Sequence, residues 1–297
     1  MKSYSTLRTS YGIDTKNTST ANLSRGDEVM NDFHRKLISK VDWPFVHRLR
    51  TATTVASVTF VPMPYDVDLV ESVFVTVGST RHIPRPAPSR DFWDELHYSQ
   101  SNSDTPEYWF SYNGEIGLWP QPSSSANTIS INAKIRAVDL NIADYGITIS
   151  TLTNGSQSMV ISTGTLTTPM AGMWVRPLHS ITTDTSGDGV WYELSSVTSA
   201  TQATLVRKYG GTTFATSVTG TVAQVSLLPE AYQDLPEIYA SYRYWAKEKD
   251  ERANEFKSML IEGMDSLFSS YGFNDLSMVI DDGGEHLIIN PNLTIQL

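Results

Sequence analysis

The 297-residue chain contains no cysteine, which excludes a disulfide scaffold, a thiol nucleophile and a zinc site with thiolate ligands. No apolar run approaches the roughly 18 residues that a membrane-spanning helix needs, so no membrane contact is expected. Basic residues are outnumbered, because 22 Lys and Arg face 32 Asp and Glu and the formal net charge is −10. That balance disfavours binding of DNA through its phosphates as the task of the whole chain. The composition predicts a soluble protein of a reducing cytoplasm.

Motifs for catalysis and nucleotide binding are also missing. No Gly-Lys pair, no Gly-x-Gly-x-x-Gly and no Gly-x-Ser-x-Gly occurs, and the six histidines are scattered without ligand spacing. Asp184-x-Ser186-x-Asp188-Gly189 resembles the start of a calcium loop, but Ser195 stands where that loop needs a bidentate glutamate. A hairpin turn is the preferred interpretation. Paired carboxylates of a glycan hydrolase have no sequence pattern that selects them. We therefore predict no enzyme, no cofactor and no metal.

Charge is distributed unevenly along the chain. Residues 1–50 carry a net charge of +4, residues 51–145 carry −6, residues 146–226 are neutral and residues 227–297 carry −8. Such asymmetry serves solvation in many proteins. In an assembly protein it also orients partners, positive face to negative face.

The first part of the chain is predicted to be an extended arm followed by a helix. Residues 1–23 are rich in Ser, Thr and Asn and are interpreted as the arm. Ser24 and Asp27 fit a loose capping box that opens the helix, and Pro44 ends it. The apolar stripe of this helix consists of Val29, Phe33, Leu37 and Val41.

Alternating β-branched residues follow. They predict a strand over 51–62, another over Leu69–Val77, and a third through Ile129–Ala137. A short helix is expected after Pro88, and Asn113-Gly114 is a strong hairpin signal.

From about 141 to 227 the chain is rich in Thr, Ser, Gly and Val and almost uncharged. Short alternating runs recur there, separated by turns such as Asn154-Gly155. This pattern predicts a small all-β barrel or sandwich of about six strands.

Residues 228–272 show helical spacing interrupted by a charged stretch, which fits either one long helix that bridges solvent or two helices that meet in a tight turn. We favour the helical hairpin. Residues 273–297 are predicted to form an extended tail whose apolar residues pair with a sheet edge of the same or a neighbouring chain. The candidate partner-contact residues in this tail are Ile280, Leu287, Ile288, Ile289, Pro291, Leu293 and Ile295.

These elements predict an α+β fold. A helical bundle combines the N-terminal helix with the C-terminal helical pair, beside a β-platform. Residues 24–140 and 228–272 form the expected core, and 141–227 form an inserted β-domain.

The order of several short motifs is informative. Asp42-Trp43-Pro44-Phe45 follows the first helix, Val61-Pro62-Met63-Pro64 ends a strand, and Leu235-Pro236 opens the helical pair. In this order the chain resembles the head-to-tail adaptor (connector) proteins of tailed bacteriophages, including the tail tubular proteins of short-tailed phages. The resemblance covers roughly 24–140 and 228–272 and leaves out 141–227.

The resemblance implies a structural virion protein. Such adaptors form a ring, usually of twelve copies, that joins the portal protein to the tail or tail-nozzle proteins and extends the DNA channel. DNA passes through without sequence-specific binding. The expected location is the neck of the virion, after assembly in the host cytoplasm, and the terminal segments are expected to bind the portal or neighbouring subunits.

The alternative hypothesis is a receptor- or glycan-binding tail or decoration protein that acts through the inserted β-domain. Trp174, Trp191 and Tyr192 would then be its aromatic platform.

Overall fold

The computed structural model describes residues 1–99, 103–179, 187–214, 216–273, 276–280 and 287–291. The chain forms two compact units, one of Met1–Val41 with Asp139–Leu297 and the other of Asp42–Val138. Helices, a closed barrel and a hairpin make up the described part of the first unit, and two main sheets with a short helix make up the second. The predicted α+β class is confirmed.

The helices are α1 (Tyr4–Asp14), α2 (Thr20–Lys40), α3 (Arg90–Ser99), α4 (Leu235–Glu248) and α5 (Arg252–Ser270). Short 3-10 turns lie at Pro44–Val46, Thr168–Met170 and Glu230–Tyr232. Lys249 adopts the left-handed conformation, with φ of 56°, and ends α4 so that α5 can turn back along it. The predicted helical hairpin is therefore confirmed.

Aromatic and aliphatic side chains hold the helices of the first unit together. Phe33 of α2 stacks on Tyr239 of α4 with ring centroids 4.8 Å apart. Leu260 of α5 is fully buried. A Cβ at Gly263 would lie only 2.6 Å from Cδ2 of Leu235, so a larger residue there would displace the Leu235 side chain where α5 approaches α4.

The prediction of an extended arm over 1–23 is wrong. Ser3 caps α1, and Tyr4, Leu7 and Tyr11 bury one face of that helix. The polar composition conceals this apolar spacing. The second helix also begins earlier than predicted, because Ser19 rather than Ser24 is its cap.

The strands of the second unit are β1 (His47–Thr53), β2 (Phe60–Pro62), β3 (Val67–Val77), β4 (Thr80–His82), β5 (Arg85–Pro86), β6 (Ser103–Asp104), β7 (Tyr108–Tyr112), β8 (Glu115–Trp119), β9 (Gln121–Pro122) and β10 (Thr128–Ile135). Two four-stranded sheets have the orders β1-β10-β3-β4 and β2-β8-β7-β5, and β6 pairs with β9. Val73, Ile131 and Leu118 belong to one buried apolar cluster that includes residues of both main sheets.

The single strand predicted over 51–62 is two strands. Ser57 lies between them with φ of +60°, and its backbone N–H donates to the carbonyl of Pro122 at 3.0 Å. A left-handed residue cannot continue a strand, so the chain turns from β1 to β2 here.

The remaining strands belong to the first unit. They are β11 (Tyr145–Leu152), β12 (Ser158–Thr163), β13 (Trp174–Pro177), β14 (Tyr192–Ser199), β15 (Gln202–Leu205), β16 (Val218–Ala223), β17 (Leu276–Ile280) and β18 (Leu287–Pro291). The first six close into a barrel in the order β11-β12-β15-β14-β13-β16, around a core that includes Ile149, Val175 and Leu205. The small barrel predicted from the alternating pattern is confirmed. Among the described residues, no helix is long and apolar enough to cross a membrane.

Candidate partner-binding site

The C-terminal strands pair with each other as an antiparallel hairpin. Ile280 lies opposite Leu287 at the open end of the described ladder, and Leu276 lies opposite Pro291. The candidate residues Ile288 and Ile289 occupy successive positions of β18, opposite Val279 and Met278 of β17. The other two candidates lie outside the described residues: Leu293 and Ile295.

Both outer edges of this hairpin are unpaired within the described part of the chain, because β17 and β18 form a sheet of their own. The backbone of β17 runs beside α5, and that of β18 comes near α2. A lone two-stranded hairpin is marginally stable, and an unpaired edge offers N–H and C=O groups to another strand. The hairpin is therefore suited to strand addition by a partner.

The N-terminal segment, in contrast, is bound to its own chain. The backbone N–H of Tyr4 donates to the carbonyl of Gln224 at 2.9 Å, and Ser3 Oγ donates to the Asp144 carboxylate at 2.8 Å. Lys2 forms an ion pair with Asp234 at 2.9 Å. Sequence reasoning assigned this segment to partners, but its polar groups already have partners inside the first unit.

A cleft of about 450 Å³ lies between α1, α2 and residues 139–143. Two ion pairs line it, Arg8 with Asp27 at 3.0 Å and Arg35 with Asp139. Burial, aided by Asp27, raises the pKa of Tyr4 to about 12, so this phenol stays neutral. Both arginines are matched by carboxylates and Glu28 also lines the cleft, so the cleft has no unpaired basic group with which to capture an anion.

Two buried ionisable groups lie within the helices. The Nε2 of His34, in α2, accepts a hydrogen bond from the Leu227 backbone at 3.3 Å. Glu237, in α4, accepts one from Ser241 at 2.9 Å. Burial, and next a hydrogen bond shared with Asp14, raises the pKa of Glu237 well above its usual range. Such shifts mark many active sites, but both groups here are bonded inside the packed helical core.

Groups of three or more His, Asp or Glu that could hold a metal ion are absent from the described residues. Of the sequence resembling a calcium loop, Asp184 and Ser186 lie outside the described residues. The Asp188 carboxylate accepts hydrogen bonds from the Tyr192 hydroxyl at 2.5 Å and from the Val190 backbone at 3.0 Å. These hydrogen bonds hold the segment that leads into β14 of the barrel.

A model of the SU10 adaptor protein family matches residues 2–278. The chain belongs to this family. It is thus a structural adaptor protein of a bacteriophage virion, and the resemblance drawn from motif order is confirmed. A comparison with curated proteins gives no significant match.

The family match extends further than that resemblance. It includes α1 and the whole barrel, so the adaptor family contains the segments that motif order left out. Residues 279–297, which hold all seven contact candidates, lie beyond the matched range.

The barrel of the adaptor does not present the aromatic platform that the glycan-binding hypothesis needs. Trp191 is 5% exposed and Tyr209 is 1% exposed. Tyr192 is also buried, and Trp174 is half-buried. These aromatic side chains therefore pack within the adaptor rather than offering a surface to sugar rings.

Ile83 and Met259 are two of the exposed apolar side chains that the sequence did not identify. Ile83 is 69% exposed and Met259 is 45% exposed. The nearest charged residues are two or three positions away from each of them, a pattern that does not by itself identify an exposed residue.

Proposed function

We propose that the adaptor forms a ring between the portal protein and the tail and that this ring continues the DNA channel. The family match over residues 2–278 is the observation that carries the proposal. In a ring of about twelve copies, as in the proteins that the chain resembles, one surface of each subunit meets a different surface of the next. The ring needs large contact surfaces and no catalytic group.

Charge and composition support this role. Because its net charge is −10, the adaptor can surround DNA without binding the DNA phosphates tightly. The DNA then passes through the ring without sequence-specific binding. The absence of cysteine suits assembly in the reducing cytoplasm of the host. Within the subunit we assign the core role to residues 24–140 and 228–272, and treat 141–227 as a domain inserted into that core.

We assign partner binding to the C-terminal segment. The unpaired edges of β17 and β18 offer backbone groups to a strand of the portal protein or of a neighbouring subunit. The apolar candidates from Ile280 to Ile295 would then be buried on assembly.

The role of the whole chain is tested on particles. Expression of the adaptor is blocked during infection, and the lysate is examined by negative-stain electron microscopy. We expect filled or leaking heads separated from tails. Complete tailed particles that fail to adsorb would contradict the proposal and favour receptor binding, and fully infectious particles would contradict both.

The C-terminal segment is tested by truncation. A chain that ends at Phe273 keeps the hydrogen bond from the Phe273 backbone to Phe268, so α5 should remain folded. We expect a folded monomer that does not enter particles. The matched control lacks only residues 292–297 and keeps the hairpin. Normal incorporation of the shorter chain would contradict the assigned role of the hairpin.

A further inference from the structure

One exposed patch of the second unit is basic with an apolar centre. It consists of Arg81, Ile83 and Arg85 and is called the Ile83 patch. Arg81 lies in β4 at the edge of one main sheet, and Arg85 lies in β5 at the edge of the other. All three side chains are exposed, Ile83 to 69%.

The arginines of the Ile83 patch are available to an acidic partner. Arg81 stacks on the Phe74 ring at 3.7 Å, which orients the guanidinium while its N–H groups remain in solvent. Neither Arg81 nor Arg85 takes part in an ion pair within the described ranges.

A patch on α5 has the opposite charge. Glu255, Met259 and Glu262 are exposed and lie four and three residues apart, so they share one face of the helix. It is called the Met259 patch. The described part of the chain provides no ion-pair partner for either glutamate.

We propose that the Ile83 patch of one adaptor subunit docks on the Met259 patch of the next subunit in the ring. This inference rests on the proposed function. Each patch has an exposed apolar residue between two like charges, and the signs are opposite. Either patch would repel a second copy of itself, so the pair favours a head-to-tail contact over a two-fold dimer.

The spacing of the charges agrees with this docking. Four residues of chain lead from Arg81 to Arg85, so their backbones lie at most about 14 Å apart. Seven residues of helix place Glu255 and Glu262 about 10 Å apart along α5. The long arginine side chains can cover the difference.

Because the chain lacks cysteine, disulfide cross-linking gives a direct test. Ile83→Cys and Met259→Cys chains are supplied together to a phage that cannot make the adaptor, and purified virions are oxidised. We expect a covalent dimer that contains one chain of each kind. Ile13→Cys, at a residue that is 65% exposed on α1, replaces Ile83→Cys in the control and should give no such dimer with Met259→Cys.

Charge reversal supplies a second readout. Arg85→Glu or Glu262→Arg alone should weaken each subunit contact about fivefold, as expected for loss of a partly exposed ion pair. The two changes together should restore incorporation into virions. Lys208→Glu, at an exposed residue after β15, is the control and should have no effect. Thermal melting confirms that each variant folds.

The outcomes separate this inference from the proposed function. Particles that contain an adaptor ring but give neither the mixed dimer nor the rescue would overturn the docking and leave the ring in place. Particles whose adaptor is not arranged as a ring would overturn the proposed function, and the docking with it.

Discussion

His34 makes the adaptor sensitive to acid in a way that can be isolated by one substitution. The side chain is 1% exposed, and burial lowers its pKa from 6.5 to about 4. Its Nε2 must remain unprotonated to accept the hydrogen bond from Leu227. Protonation replaces that acceptor with a donor and leaves a charge in the helical core.

The sign and size of the change in unfolding free energy with pH follow from proton linkage. The unfolded chain takes up a proton below pH 6.5, whereas folded His34 resists protonation until about pH 4. The free energy of unfolding therefore falls as the pH drops between these values, by about 1.4 kcal/mol for each pH unit. Between pH 7 and pH 5 the contribution of His34 amounts to about 2 kcal/mol.

The assay compares the wild-type chain with His34→Gln by urea unfolding at pH 7 and pH 5, followed by the fluorescence of the seven tryptophans. The glutamine amide oxygen can accept the Leu227 hydrogen bond but does not titrate. We expect the variant to lose about 2 kcal/mol less than the wild type on acidification. Leu37→Ala, at a buried residue of α2 that does not titrate, is the control and should retain the wild-type pH dependence. Parallel profiles for His34→Gln and the wild type would refute the reasoning.

Three further predictions concern the same unit. Folding raises the pKa of Glu237, so the stability that this residue contributes is lost as the pH rises above 4.5. In urea unfolding, the free energy of unfolding of Glu237→Gln relative to that of the wild type should therefore be higher at pH 8 than at pH 5. A constant difference between the two proteins would contradict this. A Cβ at Gly26 would overlap the Tyr11 ring, so Gly26→Ala should lower the free energy of unfolding by about 1–3 kcal/mol. It should also make α1 more susceptible to limited proteolysis, and unchanged cleavage would contradict this. Leu260→Ala should cost about 2–5 kcal/mol in urea unfolding and half-buried Phe256→Ala clearly less, whereas equal losses would show that the buried face of α5 is misassigned.

Regular patterns predicted much of the fold. The stripe through Phe33 and Leu37 predicts α2, and the charged interruption between the apolar faces predicts the turn between α4 and α5. Alternation predicts the barrel strands. In each case the burial of one face imposes the period of the element on the sequence.

The failures have physical causes too. Tertiary packing, rather than local composition, stabilises α1. The Tyr11 ring of α1 packs against Gly26 of α2, where a side chain would overlap it. The break after β1 depends on Ser57 in a left-handed conformation. The sequence around it contains no Gly or Pro, the residues from which such a turn is usually predicted.

The candidate binding surfaces were only partly predictable. The apolar tail predicts strands that need a partner, and in the described part of the chain two of its segments pair with each other as the hairpin. Ile83 and Met259 could not be recognised as exposed, because an apolar residue in an ordered segment is usually buried. Phe256 continues the apolar spacing of α5 but is only half-buried.

The long-range contacts of α1 affect the order in which the adaptor folds during synthesis. Lys2 pairs with Asp234, which lies 232 residues further along the chain. At about 5–20 residues per second, the ribosome delivers that partner roughly 10–50 s after the first residues. Asp42–Val138 is continuous in sequence and has all its own strands long before then. The second unit can therefore fold before α4 is made, and during that interval the faces of α1 and α2 that pack on α4 remain exposed to solvent.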